Sequence, residues 1–394
     1  MLGSPISACD LAADATAKLA RLVAIDTTSW KSNLALIELV ESWLAELGVE
    51  TRRVMDPAGA KANLYATIGP STEGGVILSG HTDVVPVEGQ PWTSDPFALV
   101  RRGDRLYGRG TCDMKGFVAL ALAAAPIFAR PGALRRPVHL ALSYDEEVGC
   151  KGAPAMIAEL ADRLPGPIAA IVGEPTEMRV VGGHKGILTH RVTVTGHEAH
   201  SSLTHLGLSA NMVAVRLMGQ LADLAERLER DGDPASPFHP PHATLTIGQI
   251  QGGTAINILA RECAFAFDLR SPPGTDPAAI LAPFLAEVRA VDAEMKARFP
   301  TTGVAIAELS STPPLAIVHD SPAERLARAL VGDNGPLAVV PYAAEAGQFQ
   351  GAGFSTIICG PGSIEQAHQP DEYIEVTQME RGAAFMLRLA ETLA

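Results

Sequence analysis

Four short, nearly unbroken apolar runs each give way to residues of the kinds that bind metal. Val76-Ile77-Leu78 leads through Ser79-Gly80 to His81-Thr82-Asp83, and Val138-His139-Leu140-Ala141-Leu142-Ser143-Tyr144 leads to Asp145-Glu146-Glu147. Ile168 to Val172 passes through Gly173 to Glu174, and Phe354 to Cys359 precedes the Gly360-Pro361-Gly362 turn and His368. Runs of this length suit parallel strands covered on both faces, whose carboxyl ends converge on one rim. Asp113 comes from another direction, ahead of Lys115 to Leu122, a run with helical character; a carboxylate belongs at a helix N-terminus, where the dipole favours it. An α/β sheet collects its active-site groups at such a rim, so His81, Asp113, Glu147, Glu174 and His368 point to a metal-dependent hydrolase.

At 394 residues the chain exceeds what one hydrophobic core usually fills, and two domains are expected. Its 47% hydrophobic and 19% charged residues are ordinary for a globular protein and speak against disorder. A net charge of -13 argues against nucleic acid or an acidic membrane surface as a partner. Cys9, Cys112, Cys150, Cys263 and Cys359 are scattered and form no Cys-x-x-Cys pair, which disfavours a disulfide framework and a thiolate zinc knuckle and implies a reducing cytoplasm. Asp10, Asp14 and Lys18 interrupt the stretch where a signal peptide needs an apolar core, and Gly116 to Ala129 is too short to span a bilayer. No export or membrane anchoring is expected.

Along the chain, residues 12 to 49 read as amphipathic helix broken near Asp26-Thr27-Thr28, and 61 to 186 alternate strand and helix signals. The character changes at Gly182 to Gly186. Strands are expected at Leu188 to Thr195, Ala243 to Gln249, Cys263 to Leu269 and near Val304 to Leu309, with helices at Leu206 to Arg230 and Asp276 to Phe299. This β-α-β-β-α-β order gives an open sheet with both helices on one side, leaving the other face for a partner. Beyond Thr312-Pro313-Pro314 the α/β character resumes. The reading is thus a catalytic domain of residues 1–186 and 312–394, with 187–311 inserted.

Hydrolytic two-metal centres hold their ions roughly 3.5–4 Å apart, often bridged by one carboxylate. Five ligands with one shared give three per ion and leave room for a bridging water. Adjacent Glu146 and Glu147 suit a division of labour, one ligating while its neighbour takes a proton from a water whose pKa falls to about 7 on zinc. Asp83 is placed to orient His81.

His81-Thr82-Asp83-Val84-Val85-Pro86, Gly108 to Gly116 with Asp113, Asp145-Glu146-Glu147, Gly173-Glu174-Pro175-Thr176 and Ala367-His368-Gln369-Pro370-Asp371-Glu372 together resemble the M20 family of co-catalytic metallohydrolases, and within it the acetylornithine deacetylases. The resemblance spans nearly the whole chain. It implies a zinc-aminopeptidase-like α/β domain with a mixed, mostly parallel sheet, and an inserted ferredoxin-like α+β domain that acts as lid and dimerises. It also implies two Zn2+ per subunit, with Co2+ as a substitute, bridged by Asp113; His81 and Glu174 complete one site, and Glu147 and His368 the other. Glu146 would be general base and then general acid. His200, in Gly196 to Ser202, would reach the neighbouring subunit's site to stabilise the oxyanion, while Asn257 and Arg270 are similar to positions that hold the substrate carboxylate. Ala343-Ala344-Glu345-Ala346-Gly347 stands where related chains show Gly-Thr before the acidic residue. Glu345 and Gly347 are therefore expected to contact substrate in a way of their own.

The implied activity is hydrolysis of N2-acetyl-L-ornithine, a small N-acyl amino acid, to ornithine and acetate in arginine biosynthesis. Rivals on the same motifs are acetylcitrulline deacetylase, succinyl-diaminopimelate desuccinylase, aminoacylase and dipeptidase. A cysteine hydrolase using Cys112 or Cys150, and a catalytically dead binding protein on the same fold, are the readings from other classes. Gly108-Arg109-Gly110 lacks the Lys-Ser/Thr ending of a phosphate loop.

Overall fold

A computed structural model describes residues 6–394. In chain order the first elements are α1 (Ala8–Val23), α2 (Leu34–Ala45), β1 (Thr51–Met55), β2 (Ala62–Ile68), β3 (Val76–His81), β4 (Val100–Arg102), β5 (Arg105–Tyr107), α3 (Lys115–Phe128), β6 (Val138–Ser143), α4 (Ala153–Arg163), β7 (Ala169–Val172) and β8 (Val181–His184). There follow β9 (Gly186–Thr195), α5 (Ala210–Arg230), β10 (Thr244–Gly252), β11 (Glu262–Ser271), α6 (Pro277–Arg298) and β12 (Gly303–Thr312). The chain closes with α7 (Pro322–Val331), β13 (Ala338–Val340), α8 (Ala346–Gly351), β14 (Thr356–Ile358), β15 (Tyr373–Glu375) and α9 (Val376–Leu393). Contacts divide it into two compact units: one runs up to Gly183 and resumes at 315–338 and 344–394, the other is 184–314 with 339–343.

The first unit is α/β. Its eight-stranded sheet has the order β1-β2-β6-β3-β7-β14-β8-β13. The β6, β3, β7 and β14 pairings are parallel, and β1, β2 and β8 join antiparallel. Every residue of β3, β6, β7 and β14 is buried, as unbroken apolar runs require when helices cover both faces. α1, α3, α7 and α9 pack on one another, and α4 and α8 pack together against the sheet. α3 is apolar all round because all its residues except Pro126 and Ile127 are buried. Its Phe117 ring leaves no room at Gly173, where an added Cβ would meet the ring at 2.1 Å; a Cβ on Gly360 would strike the Gly173 carbonyl at 2.0 Å. Two glycines thus let the ends of β7 and β14 close on each other just ahead of Glu174 and His368.

The second unit is α+β and ferredoxin-like: the antiparallel sheet β10-β11-β9-β12 carries α5 and α6. β11 alternates strictly between buried and half-exposed residues after Glu262, so its Cys263, Phe265, Phe267 and Leu269 join Leu217, Leu221, Phe284 and Val288 of the helices in one core. Asp276 caps α6 through Ala278 N, as the Asp-Pro start predicts. The unit boundaries fall at 184 and 314 rather than near 186 and 311, and 339–343 belong to this unit too.

Candidate metal centre

The four parallel strands bring their carboxyl ends to one rim, and the loops that leave it supply the polar groups. Asp113 sits at the head of α3. Its Oδ1 lies 3.0 Å from His81 Nε2, and its Oδ2 lies 3.2 Å from His368 Nε2. Glu174 Oε1 is 4.0 Å from His81 Nε2, and Glu147 Oε2 is 3.0 Å from His368 Nε2. Two three-residue groups result, His81-Asp113-Glu174 and Asp113-Glu147-His368, each with its donor atoms within 4.8 Å of one another. All five residues expected to ligate come together, and Asp113 belongs to both groups.

The electrostatics of this cluster are those of a cation site. Burial opposes ionisation of Glu147, Glu174 and Glu146, and the charge of Asp113 adds to it; Glu147 is pushed up to about 7, and the other two well above the usual carboxylate range. Asp113 resists the same burial because His368 and His81 donate to it, which holds its pKa well below normal. His368 is raised to about 11 by its bonds to Asp113 and Glu147. Burial works against protonation of His81, but the Asp113 bond and the Glu174 charge outweigh it. Glu147 Oε1 and Glu174 Oε1 are buried without a hydrogen-bond partner, a costly state for a carboxylate unless a cation takes the lone pair. Imidazole and carboxylate donors in two sets of three fit zinc-type divalent ions.

The surroundings fix these groups. His81 Nδ1 donates to the Asp83 carbonyl at 2.9 Å, which leaves the Nε2 lone pair facing Asp113. Asp83 therefore orients His81 through its backbone, its carboxylate being 3.7 Å away. That carboxylate accepts from Glu146 N at 3.1 Å, Glu147 N at 3.2 Å and Ser29 Oγ at 2.7 Å. Lys61 pairs with Asp145 and donates to the Ser29 carbonyl, closing the ring around the Asp145-Glu146-Glu147 turn. Glu146 is half-buried, with the Cys150 thiol 3.1 Å from its Oε1. Glu372 holds the backbone ahead of α3, accepting from Gly110, Cys112 and Asp113 amides, and is itself paired with Arg109. Lys61, Ser29, Arg109, Glu372 and Cys150 had no assigned part in the site from sequence; Glu372 alone stood in a motif that carries a ligand, His368-Gln369-Pro370-Asp371-Glu372.

Glu345 lies sealed beneath this cluster, 1% exposed, accepting from Ser79 Oγ at 3.4 Å and raised to about 7 by burial. Gly347 is buried beside it in α8. Both therefore sit in the interior rather than on an open surface. His200, Asn257 and Arg270 belong to the second unit. There His200 Nδ1 bonds Ser202 Oγ at 2.8 Å, exposed Asn257 gives its carbonyl to Ser201 N, and Arg270 Nε donates to Asp268 at 3.2 Å. Cys112 donates to the Ser363 carbonyl at 3.2 Å, and burial pushes its thiol pKa well up, which removes the thiolate a cysteine hydrolase needs. No helix among the described residues is long and apolar enough to cross a membrane.

Residues 77–392 match the model of peptidase family M20/M25/M40. The acetylornithine deacetylase of Proteus mirabilis is 37% identical over 374 residues, covering 93% of this chain and 92% of that protein. That of Photorhabdus laumondii is 36% identical, with 90% and 89% covered. Among solved structures, the M20 family metallo-carboxypeptidase Sso-CP2 of Sulfolobus solfataricus aligns with a TM-score of 0.78 at 16% identity, over 96% of this chain and 98% of that one. Human carnosine dipeptidase 1 aligns at 0.75 and 18% identity, over 97% and 98%.

Proposed function

Because the chain belongs to peptidase family M20/M25/M40 and is a metallohydrolase, we propose that it removes the acetyl group from N2-acetyl-L-ornithine, as a cytoplasmic homodimer joined through its second unit. The observation that carries the hydrolytic chemistry is the division of the Asp113 carboxylate between two ligand groups, beside a Glu146 that ligates neither. The choice of substrate is supported by the relatives named acetylornithine deacetylase.

His81, Asp113 and Glu174 would hold one divalent cation, Asp113, Glu147 and His368 the other, zinc being the assignment that the donors favour. Such ions supply Lewis-acid polarisation of the acyl carbonyl and a water acidified to near neutrality. Glu146 takes the proton released when that water adds to the carbonyl carbon. It returns the proton to the α-nitrogen as the C–N bond breaks, giving acetate and the free amine. Its surroundings raise its proton affinity, as a group that must hold the proton between the two steps requires. Asp83 and Lys61 keep the turn in place while this happens. His200 is assigned to the carbonyl oxygen, and Asn257 and Arg270 to the substrate carboxylate, Arg270 being shared with Asp268. Glu345, inside the protein, acts on substrate only through Ser79 and the strand that carries His81.

The test is a substrate panel on metal-loaded protein: N2-acetylornithine, acetylcitrulline, acetylmethionine, succinyl-diaminopimelate and a dipeptide, with metal content measured alongside. The highest kcat/KM on acetylornithine and loss of turnover with a chelator are expected. A higher kcat/KM on another member reassigns the substrate within the family, and activity indifferent to chelation removes the mechanism.

A further inference from the structure

We propose that Cys150 is a positioning residue for Glu146, its thiol tethering one carboxylate oxygen so that the other faces the reacting water. The inference rests on Glu146 being the proton carrier of the proposed reaction.

Cys150 is buried, and its Sγ lies 3.1 Å from Glu146 Oε1. Among the described residues no other side chain hydrogen-bonds Glu146. A glutamate has three side-chain torsions to fix, and here the charges of Glu147, Glu345 and Asp113 oppose its ionised form. A donor behind the carboxylate holds it against that repulsion. A thiol is a weak donor, so it orients the oxygen without gripping it as a guanidinium or an ammonium would.

The backbone supplies an independent reason to think the side chain matters. Cys150 has φ of +52°, in the left-handed region that a β-carbon disfavours and glycine enters freely. Nothing else in the turn requires a side chain there. Gly149 N and Cys150 N both donate to the Glu146 carbonyl, Lys151 N donates to the Asp145 carbonyl, and Gln348 Nε2 donates to the Cys150 carbonyl at 2.9 Å. All of these are backbone groups of the turn, which a glycine at 150 would retain. Locally glycine is the easier choice at 150; what cysteine adds is the sulfur on Glu146.

Three substitutions separate positioning from packing. Cys150→Gly relieves the backbone and removes the thiol, Cys150→Ala removes the thiol alone, and Cys150→Ser restores a donor. The expected result, on the substrate the wild type turns over fastest, is a fall in kcat of about tenfold for the glycine and alanine forms with KM and metal content unchanged, and recovery of most of it in the serine form. The metal-free Cys150→Gly protein should melt no lower than wild type, so that stability and turnover part company. Glu146→Gln is measured alone and with Cys150→Ala: the single change should abolish turnover, and adding the second should change nothing further. If Glu146→Gln is inactive but the three Cys150 variants keep wild-type kcat, or if their losses follow their melting temperatures, the assignment of Cys150 is overturned while that of Glu146 stands. An active Glu146→Gln overturns both.

Discussion

Arg109 and Glu372 form an ion pair at 2.7 Å with both side chains only 1% exposed. Glu372 Oε2 also takes Gly110 N, and its Oε1 takes the amides of Cys112 and Asp113 at 2.9 and 3.1 Å. From the other side Arg109 donates to the carbonyls of Pro86 and Gln369 and to Gln90 Oε1, and stacks on Trp92, while Gln90 Nε2 holds the His368 carbonyl. One pair of charges therefore links the backbone of Asp113 to that of His368, two groups 255 positions apart in sequence (368 − 113).

Glu372→Gln should accordingly damage both folding and metal affinity. It leaves the Arg109 guanidinium buried without its counter-charge, a loss of roughly 3–5 kcal/mol. It also slackens Asp113, with metal affinity expected to fall roughly 10–100-fold. Urea unfolding of the metal-free protein reads the first effect and a competitive zinc titration the second. Wild-type values in both would mean that the pair is ornamental.

Asp83→Asn tests the other organising carboxylate. Asn can accept with only one side-chain oxygen, so one of the Glu146 and Glu147 amides loses its partner while the His81 bond to the residue 83 carbonyl survives. A drop in kcat of roughly 10–100-fold with two metals still bound is expected. Loss of the metal bound by His81, with kcat per remaining dinuclear centre unchanged, would show instead that Asp83 acts through His81.

Much of this was legible in the sequence, for a physical reason. Strands buried on both faces leave unbroken apolar runs, so β3, β6, β7 and β14 and the ligands beyond them could be read directly. The second unit was equally open to reading, because β11 and α5 carry the two clean periods of a strand and a helix. Short β4, β5 and β15 escaped: three residues each, with Arg101, Arg102 and Arg105 among them, they have no period to detect. The contacts that steady the site escaped as well. Lys61 with Asp145, Ser29 with Asp83 and Arg109 with Glu372 pair residues far apart in sequence, and such side-chain bonds leave no local pattern. Glu345 shows the converse limit, since an acidic residue in an active-site motif gives no sign of whether it faces the cleft or the core.

Asp113 distinguishes a shared centre from two separate ones. Removing His368 takes a donor from one group only, whereas removing Asp113 takes one from each. Metal analysis should find about one ion in His368→Ala and fewer than one in Asp113→Ala. Because metal binds the folded form, saturating zinc at about 100 times its Kd should stabilise the wild type by about 2.7 kcal/mol per site. Asp113→Ala should show little of that gain. An Asp113→Ala protein that still holds two ions would dissolve the bridging assignment.

His139 gives the acid side of stability a specific cause. Its side chain is buried in β6, Nδ1 pairs with Thr67 Oγ1 at 3.0 Å, and Nε2 has no partner, so burial pushes its pKa down to about 4 from the ordinary 6.5. The folded state therefore binds fewer protons than the unfolded chain between those values. The stabilising contribution is complete above about pH 6.5 and is lost progressively as the pH falls towards 4, amounting to about 3 kcal/mol across the window. His139→Leu cannot take up that proton in either state, and Thr67, which is exposed, can turn its hydroxyl to water. Urea midpoints of the metal-free wild type and variant, compared at pH 7.5 and pH 5, should show the wild type losing more stability on acidification. Subtracting the variant removes the titration of the carboxylate cluster, which is distant from Thr67 along β2 and β6 and common to both proteins. Equal losses in the two proteins would mean that the ring is already solvated in the folded state, and the acid sensitivity would have to come from elsewhere.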